Sequence, residues 1–266
     1  MTPQQLAQLE EHRIAEAVAD VALASIRLEG GGTVCWGGDG SWMNEGRGLA
    51  MRGEVPPGDV DRAIGFLRER GARVRFDVCP YAHPSLLERL GERGLVALGF
   101  ETVLYRELDP LDLGPPVAEA GIQVRPVDGE EDVAAFVEGV GRWFSPAGEL
   151  REVDAWAMRR VLAHPRVEGF LVQIDGRMVG GGALEMGQPE SGLAVLMMTS
   201  VDPAWRRRGV QNALMVHRLR RARELGACVA AVGSDPSIAT GRNAMRLGFR
   251  VAYTKVSIGE PAVGGA

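Results

Sequence analysis

The chain has 266 residues, of which 45% are apolar and 24% charged, and its formal net charge is −5. This composition excludes wholesale disorder and supplies enough apolar side chains for one large domain or two of ordinary size. The three widely spaced cysteines, Cys35, Cys79 and Cys228, argue against a disulfide framework.

The sequence also limits where the protein acts and what it binds. The residues after Met1 lead into a charged amphipathic helix rather than a secretory signal. No apolar run of about twenty residues occurs, so we expect no membrane partner and a cytoplasmic location. The acidic net charge argues against a nucleic-acid partner. The histidines have no ligand spacing, so we expect no metal.

In the first half, helices alternate with strands. The spacing of apolar residues indicates the elements, and Gly71 and Pro84 mark breaks between them. We predict a helix over 59–70, a strand over 73–78, a helix after Ser85 and a strand that ends at Leu108. The segment 111–121 is rich in Pro and Gly and separates the two halves.

The second half contains a longer series of elements. Asp175-Gly176 favours a tight hairpin turn, Gly226 and Gly248 each follow a helical stripe, and Asp235-Pro236 suits a helix start. The predicted strands cover 122–127, 170–174, 178 onward, 193–201, 228–232 and 249–256. The predicted helices cover 132–141, 152–163, a segment that ends at Leu225 and one that ends at Leu247.

The run Arg206-Arg207-Arg208-Gly209-Val210-Gln211-Asn212 joins the strand over 193–201 to the next helix. Free backbone N–H groups and the dipole at a helix start favour an anion, and glycine lets a phosphate approach the backbone. The run matches neither the Walker nor the Rossmann glycine pattern. Taken alone, it therefore indicates either a site for a phosphorylated cofactor of another kind or a solvated turn that caps the helix.

This loop resembles the pyrophosphate-binding motif of the GNAT superfamily of N-acetyltransferases, Arg/Gln-x-x-Gly-x-Gly/Ala. Arg206 is first and Gly209 fourth, whereas Gln211 stands where Gly or Ala is usual. The order of elements over 122–258 is similar to that of the superfamily, as is Leu247-Gly248-Phe249 after a helix that contains Asn243.

The resemblance implies an α/β (α+β) fold with two GNAT-like domains, each a mixed, mostly antiparallel sheet flanked by helices. The first half repeats the order of helices and strands of the second, with Gly and Pro at similar breaks between them. In the first half, however, Pro56-Pro57-Gly58-Asp59 stands in place of the basic loop. We expect a degenerate GNAT-like domain over 1–112 that binds no cofactor, a linker over 113–121, a GNAT domain over 122–258 and a flexible tail over 259–266. An unrelated α+β domain is the alternative for the first half.

The resemblance further implies an acetyl-CoA-dependent N-acetyltransferase, with acetyl-CoA as cosubstrate and direct attack by an amine. In the superfamily, the pantetheine arm pairs with the strand before the loop. The residues that the resemblance assigns to the cofactor are Thr199, Ser200, Val201, Arg206, Arg207, Arg208, Gly209, Val210, Gln211, Asn212 and Asn243. For Arg218 and the arginines beside it on the helix, a solvated face is favoured over a contact with the 3′-phosphate.

The sequence offers several candidates for the catalytic acid and base. Many members place Tyr where Asn243 stands, and an amide cannot act as a general acid. A thiol with a pKa of about 8.5 leaves acceptably without one, although Ser237, Thr240, Tyr253 or water are alternatives. Glu185 and Glu190 are weak candidates for the base.

The acceptor is not fixed by the sequence. It is a small-molecule amine or a peptide amine, and aromatic residues near the loop after the first helix of this half (Trp143, Phe144 and Trp156) either line its site or belong to the core.

Cys228 is expected to be buried and inert. The assembly is a monomer or a homodimer. The alternative function is a non-catalytic acyl-CoA-binding or sensing module.

Overall fold

The computed structural model describes residues 1–109, 112–113, 121–145, 147–236 and 238–261. The chain splits into two compact units, one of Met1–Val103 with Val251–Ala266 and one of Leu104–Arg250. Among the described helices, none has the length and apolar character that crossing a bilayer requires.

The elements are numbered in chain order. The helices are α1 Pro3–Val21, α2 Asp59–Arg68, α3 Ser85–Gly91, α4 Gly129–Phe144, α5 Glu152–Leu162, α6 Val210–Glu224 and α7 Ala239–Arg246. The strands are β1 Ala24–Arg27, β2 Thr33–Trp36, β3 Glu45–Arg47, β4 Arg75–Val78, β5 Val96–Glu107, β6 Gln123–Pro126, β7 Val167–Ile174, β8 Arg177–Met186, β9 Leu193–Val201, β10 Val229–Ser234 and β11 Arg250–Gly259.

The first unit is built on a sheet with the strand order β1-β2-β3-β4-β11-β5. β3 and β4 are parallel at Gly46 and Phe76, whereas β1–β2, β2–β3 and β4–β11 are antiparallel. One apolar cluster joins the sheet to α2 and α3, and Phe76, Leu67 and Leu90 in it are fully buried. Burial of such a stripe explains why α2 is amphipathic.

Charged side chains are also buried in the first unit. Tyr253 donates a hydrogen bond to Oε1 of Glu11 over 2.7 Å, and Nζ of Lys255 lies 3.6 Å from the same oxygen. Burial raises the pKa of Glu11. Glu45 pairs with Arg47 and Arg75, yet burial raises its pKa to about 7. This unit therefore contains carboxyl groups that are costly to ionise.

The second unit has the strand order β10-β9-β8-β7-β6. β6 to β9 are antiparallel, and β10 runs parallel to β9. α6 packs on one face with Phe170 and Leu184, and α4 and α5 pack on the other with Leu171. Phe170 and Leu171 are adjacent in β7, so they point to opposite faces. The predicted fold class, a mixed and mostly antiparallel sheet flanked by helices, is confirmed.

The division of the chain differs from the expected domain boundaries. β11 was assigned to the domain over 122–258, but it pairs with β4 in the first unit, with Val256 opposite Val78. Of the expected linker and tail, residues 114–120 and 262–266 lie outside the described part.

Most predicted elements are present, with local corrections. The hairpin turn has Asp175 at φ 49° and Gly176 at φ 76°, as a primed turn requires. α7 begins at Ala239, with Ile238 as N-cap, so the predicted start at Asp235-Pro236 was wrong. β1, β2 and β3 were not predicted, because they are only three or four residues long and lie among glycines.

Candidate functional site

β9 and β10 separate after a short common stretch. Their ladder runs from Leu193 and Val229 to Val195 and Ala231, and within the described part of the chain it extends no further. On its other edge β9 stays paired with β8 as far as Val201, opposite Gly180. The edge of β9 over 196–201 therefore presents backbone N–H and C=O groups that an extended ligand can pair with.

The open edge coincides with a bulge in β9. The β8–β9 register shifts between Gly181 and Ala183, and Met198 has φ 51°. For a residue other than glycine this left-handed backbone costs about 1–2 kcal/mol. The surrounding structure must therefore stabilise the bulge.

Arg218 of α6 provides that stabilisation. Its side chain is fully buried, and it donates from Nη1 to the carbonyls of Ala183 over 2.8 Å and Met197 over 3.1 Å. Nη2 donates to Oγ1 of Thr199 over 2.8 Å. The expectation that Arg218 lies on a solvated helix face was wrong. Its guanidinium is buried against the bulge of β9.

The loop after β9 leads directly into the N-terminus of α6. The Asp202 carboxylate accepts a hydrogen bond from the Ala204 N–H over 2.9 Å and so caps the turn over Pro203–Trp205. Gly209 is the N-cap of α6 at φ 81°, and neither a side-chain cap nor an acidic residue occupies the first turn. The first N–H groups of a helix have no partner inside it, so this end favours an anion.

The three loop arginines have different surroundings. Nε of Arg206 donates to the carbonyl of Val201 over 3.2 Å, which ties the loop to the end of β9. The guanidinium of Arg208 lies 4.7 Å from the centre of the Trp205 ring. Arg207 has φ 64°, and all three arginines are exposed. Arg206 thus binds within the loop. The guanidinium groups of Arg207 and Arg208 are exposed to solvent beside the helix N-terminus.

Gln211 turns its side chain toward α7. Its Oε1 accepts a hydrogen bond from the amide of Asn243 over 2.6 Å, and its Nε2 donates to Oγ1 of Thr240 over 3.0 Å. Asn243 also accepts from Nη1 of Arg246 over 3.3 Å. The side chain of Gln211 is therefore held away from the anion site.

The remaining residues assigned to the cofactor lie along the same path. Ser200 and Val201 are buried on β9, so they offer backbone groups rather than side chains. Val210, the first residue of α6, is buried in the core, and Asn212 is half-buried in the first turn. The structure thus places the strand edge, the loop and the helix start in succession around the opening between β9 and β10.

The candidate bases lie toward the end of β9 where this opening begins. Glu185 is 2% exposed and faces Val195, where β9 is still paired with β10. It is four residues from Gly181, which faces Ser200, a separation of about 13 Å along a strand. Glu190 is exposed in the turn between β8 and β9. Glu185 thus lies beside the start of the open edge but not opposite Thr199–Val201, whereas Glu190 lies beyond the paired end of β9.

The candidate acids are also placed by the structure, except Ser237, which lies outside the described residues. Asn243 is bonded to Gln211, as described. Tyr253 belongs to the first unit, where burial and the neighbouring Glu11 raise the pKa of its hydroxyl. A phenol held in this way is a poor proton donor.

Cys228 is exposed, so the expectation that it is buried was wrong. It precedes β10 at the end where the β9–β10 ladder begins, and its N–H donates to the carbonyl of Gly192 over 2.8 Å. This end of the strands is opposite to the opening. The cysteine is therefore remote from the site, whatever its exposure.

The aromatic residues near α4 and α5 have mixed environments. Trp143 is half-buried, Phe144 is 54% exposed, and the Arg160 guanidinium lies 5.5 Å from the Trp156 ring centre. The carbonyl of Trp143 is 3.5 Å from Nη2 of Arg206. The end of α4 therefore lies beside the loop, with an exposed aromatic ring next to it.

The first unit contains a similar helix start with different chemistry. Gly58 is the N-cap of α2 at φ 90°, also without a side-chain cap. Asp59 and Asp61 occupy the first turn of α2, and Oδ2 of Asp59 accepts from the N–H of Gly30 over 2.9 Å. Carboxylates at this position oppose the binding of a phosphate by like-charge repulsion.

Comparison with known proteins agrees with this geometry. Residues 127–249 match the model of the acetyltransferase (GNAT) family. The suspected GNAT resemblance is thereby confirmed, and the second unit has the class of fold that acetyltransferases of this family use. No curated protein matches the sequence of the chain at a significant level.

Several solved structures have a similar fold, and their alignments cover most or all of this chain. A GCN5-related N-acetyltransferase from Kribbella flavida aligns with a TM-score of 0.69 at 18% identity and covers 96% of each chain. A tandem GNAT protein from the clavulanic acid biosynthesis pathway, solved without AcCoA, aligns with a TM-score of 0.65 at 16% identity over 100% of this chain and 96% of its own. A GCN5-related N-acetyltransferase from Sphaerobacter thermophilus aligns with a TM-score of 0.59 at 18% identity over 81% of this chain and 71% of its own. At these identities the likeness concerns the fold alone.

Proposed function

We propose that the protein is an acetyl-CoA-dependent N-acetyltransferase, in which the second unit holds the thioester and an amine attacks it directly. The observation that carries this proposal is the opening between β9 and β10 beyond Val195, with the helix start at Gly209 immediately after it. An extended pantetheine arm fits an unpaired strand edge, and a diphosphate fits an uncapped helix N-terminus.

The chemistry needs little more than these backbone groups. An N–H of the β9 edge stabilises the oxyanion that forms when the amine attacks the thioester carbon. The carbon–nitrogen bond forms, the carbon–sulfur bond breaks, and CoA leaves as a thiolate. The amine must lose a proton, which passes to water or to the departing sulfur, since no side chain is assigned as base or acid.

The first unit is proposed to be a degenerate GNAT-like domain that does not bind the cosubstrate. Two differences support this: Pro56 and Pro57 precede the N-cap of α2, where arginines precede that of α6, and the first turn of α2 carries Asp59 and Asp61. The acceptor is proposed to be a small-molecule amine or a peptide amine. The exposed Phe144 at the end of α4 supports an acceptor with an apolar part.

The test is to measure binding and turnover separately on the full chain. Calorimetry with acetyl-CoA and with S-acetylpantetheine, which lacks the diphosphate and the 3′-phosphoadenosine, measures what the nucleotide part, including the diphosphate at the helix start, contributes to binding. We expect one acetyl-CoA per chain and an affinity for S-acetylpantetheine that is weaker by about 100-fold, as for the loss of two or more charge-assisted hydrogen bonds. Equal affinities for the two thioesters would remove the loop from the proposal.

A non-catalytic acyl-CoA-binding or sensing module remains the second candidate, because Asn243 is engaged by Gln211 and neither candidate base, Glu185 or Glu190, lies opposite Thr199–Val201. Release of free CoA, measured with a thiol reagent over a panel of small amines, amino acids and peptides, separates the two. Binding without release of CoA across the panel favours the module.

A further inference from the structure

Arg218 carries a charge that the core of the second unit does not neutralise. Its side chain is fully buried, and within the described part of the chain its partners are carbonyl and hydroxyl oxygens, not carboxylates. Burial lowers the pKa of its guanidinium to about 9, so it stays charged at neutral pH. A buried charge without a counter-ion is costly, so a purely structural origin for this residue is a poor explanation.

The partners of Arg218 all lie at one place. Leu214 accepts from Nε over 3.3 Å within α6, and the other three acceptors, on Ala183, Met197 and Thr199, surround the bulge in β9. Gly182 leaves room for the guanidinium, because a Cβ at that position would lie 2.9 Å from Nη1. One planar donor group thus joins β8, both sides of the bulge at Met198 and the helix that begins at Gly209.

The bulge decides which way the strand edge faces. β9 leaves the ladder with β10 after Val195, and the strained residue Met198 lies between that point and the segment assigned to the thioester, Thr199–Val201. A bulge inserts one residue and redirects the groups that follow it. Four donors in a rigid fork fix such a geometry better than a flexible ammonium does.

We propose that Arg218 is a positioning residue for acyl transfer, which holds the β9 bulge in the form that presents the strand edge to the thioester. This inference rests on the proposed function. Arg218 does not touch the reacting atoms, and it acts through the backbone of Met197 and the hydroxyl of Thr199.

The experiment compares Arg218→Met, Arg218→Lys and Thr199→Val with the wild type, and uses Arg220→Met as a matched control because Arg220 is exposed on the same helix. Hydrogen exchange over 196–201 reports the strand edge, and steady-state kinetics report acyl transfer. In Arg218→Met we expect exchange over 196–201 to be faster by about tenfold, exchange in β7 to be unchanged, and kcat to fall by about 10- to 100-fold.

The other variants keep the test informative if Arg218→Met folds poorly. Thr199→Val removes one acceptor and leaves Arg218 in place, so we expect a smaller fall in kcat, with KM for the amine unchanged. Arg218→Lys keeps a donor for the carbonyls and is expected to recover part of the activity. Arg220→Met is expected to match the wild type in both measurements.

One result would overturn the positioning role of Arg218 and another would overturn the proposed function, and the two results differ. If the wild type binds and turns over acetyl-CoA while Arg218→Met keeps both its kcat and its exchange over 196–201 within about twofold, the positioning role is wrong and the proposed function stands. If the wild type neither binds acetyl-CoA nor releases CoA, the proposed function fails and the inference fails with it.

Discussion

The side-chain amide of Asn243 donates a hydrogen bond to Oε1 of Gln211 over 2.6 Å. Gln211 is the position that departs from the loop motif, Asn243 stands where many GNAT members have Tyr, and the two side chains are in contact. Nε2 of Gln211 continues the connection to Thr240. The two departures are therefore coupled: together they link the start of α6 to α7, and the amide that replaces the usual Tyr serves that link.

A double-mutant cycle of Gln211→Ala and Asn243→Ala tests this coupling. Each hydrogen bond is partly exposed, so we expect each single variant to lower the free energy of unfolding by about 1 kcal/mol and the coupling energy to be about 0.5–1.5 kcal/mol. Urea denaturation measures both. Strictly additive effects would show that the two side chains act independently.

Gly209→Ala and Gly58→Ala form a matched pair. Both glycines are N-caps with positive φ, 81° and 90°, and an added Cβ has room at each. We expect each variant to lose about 1 kcal/mol of stability, because the left-handed backbone is unfavourable for alanine. Only Gly209→Ala is expected to weaken acetyl-CoA binding in calorimetry, since it adds a side chain at the proposed diphosphate site. A comparable loss of affinity in Gly58→Ala would contradict a degenerate first unit.

Tyr253→Phe separates the structural role of this hydroxyl from the catalytic one considered for it. The variant leaves the buried Glu11 without its 2.7 Å donor, so we expect a loss of about 1–3 kcal/mol in thermal or urea unfolding. Acyl transfer at a temperature where the variant is folded is expected to keep the wild-type kcat. A large fall in kcat without a fall in stability would make Tyr253 the missing acid.

The raised pKa of Glu45 leads to a prediction of how the free energy of unfolding depends on pH. Burial raises its pKa from 4.5 to about 7, so between these values the folded chain binds more protons than the unfolded chain. The contribution of Glu45 to stability therefore falls as pH rises from 4.5 to 7, by about 3 kcal/mol. Glu45→Gln, which resembles the protonated carboxyl, is expected to flatten this part of the curve. The check is the midpoint of urea unfolding at several pH values, with Glu54→Gln as an exposed control.

Cys228 tests the direct-attack mechanism. It is exposed, whereas Cys35 and Cys79 are buried with pKa values raised by burial to about 11 and about 12. We expect iodoacetamide to modify Cys228 first and Cys228→Ser to retain the wild-type kcat, because no covalent intermediate is needed. An acetylated Cys228 detected by mass spectrometry during turnover would point to a ping-pong route instead.

Local signals in the sequence were sufficient for much of the fold. The stripe from Ala213 to Leu225 predicted α6, Asp175-Gly176 predicted a hairpin, and Gly209 predicted the helix start, because each depends on neighbouring residues only. The contacts that matter most for the site are between distant residues. Nothing local shows that Arg218 is buried, since a run of arginines on a helix usually faces solvent.

The same limit applies to the domain boundaries. β11 follows α7 as any last strand of the second half would, and its apolar pattern does not name its neighbours. Its partner β4 lies more than 170 residues earlier, with Ser257 opposite Asp77. Strand pairing over such a separation is decided by the whole sheet and not by the residues of one strand.

The placement of β11 bears on how the protein is made. The second unit, Leu104–Arg250, is one continuous stretch of chain, whereas the sheet of the first unit contains a strand from Val251 onward. Ribosomes deliver the N-terminal part first, yet it lacks a central strand until β11 emerges. The later-translated unit is therefore complete before the earlier one, and nascent chains released short of Gly259 would expose the bare edge of β4 to aggregation.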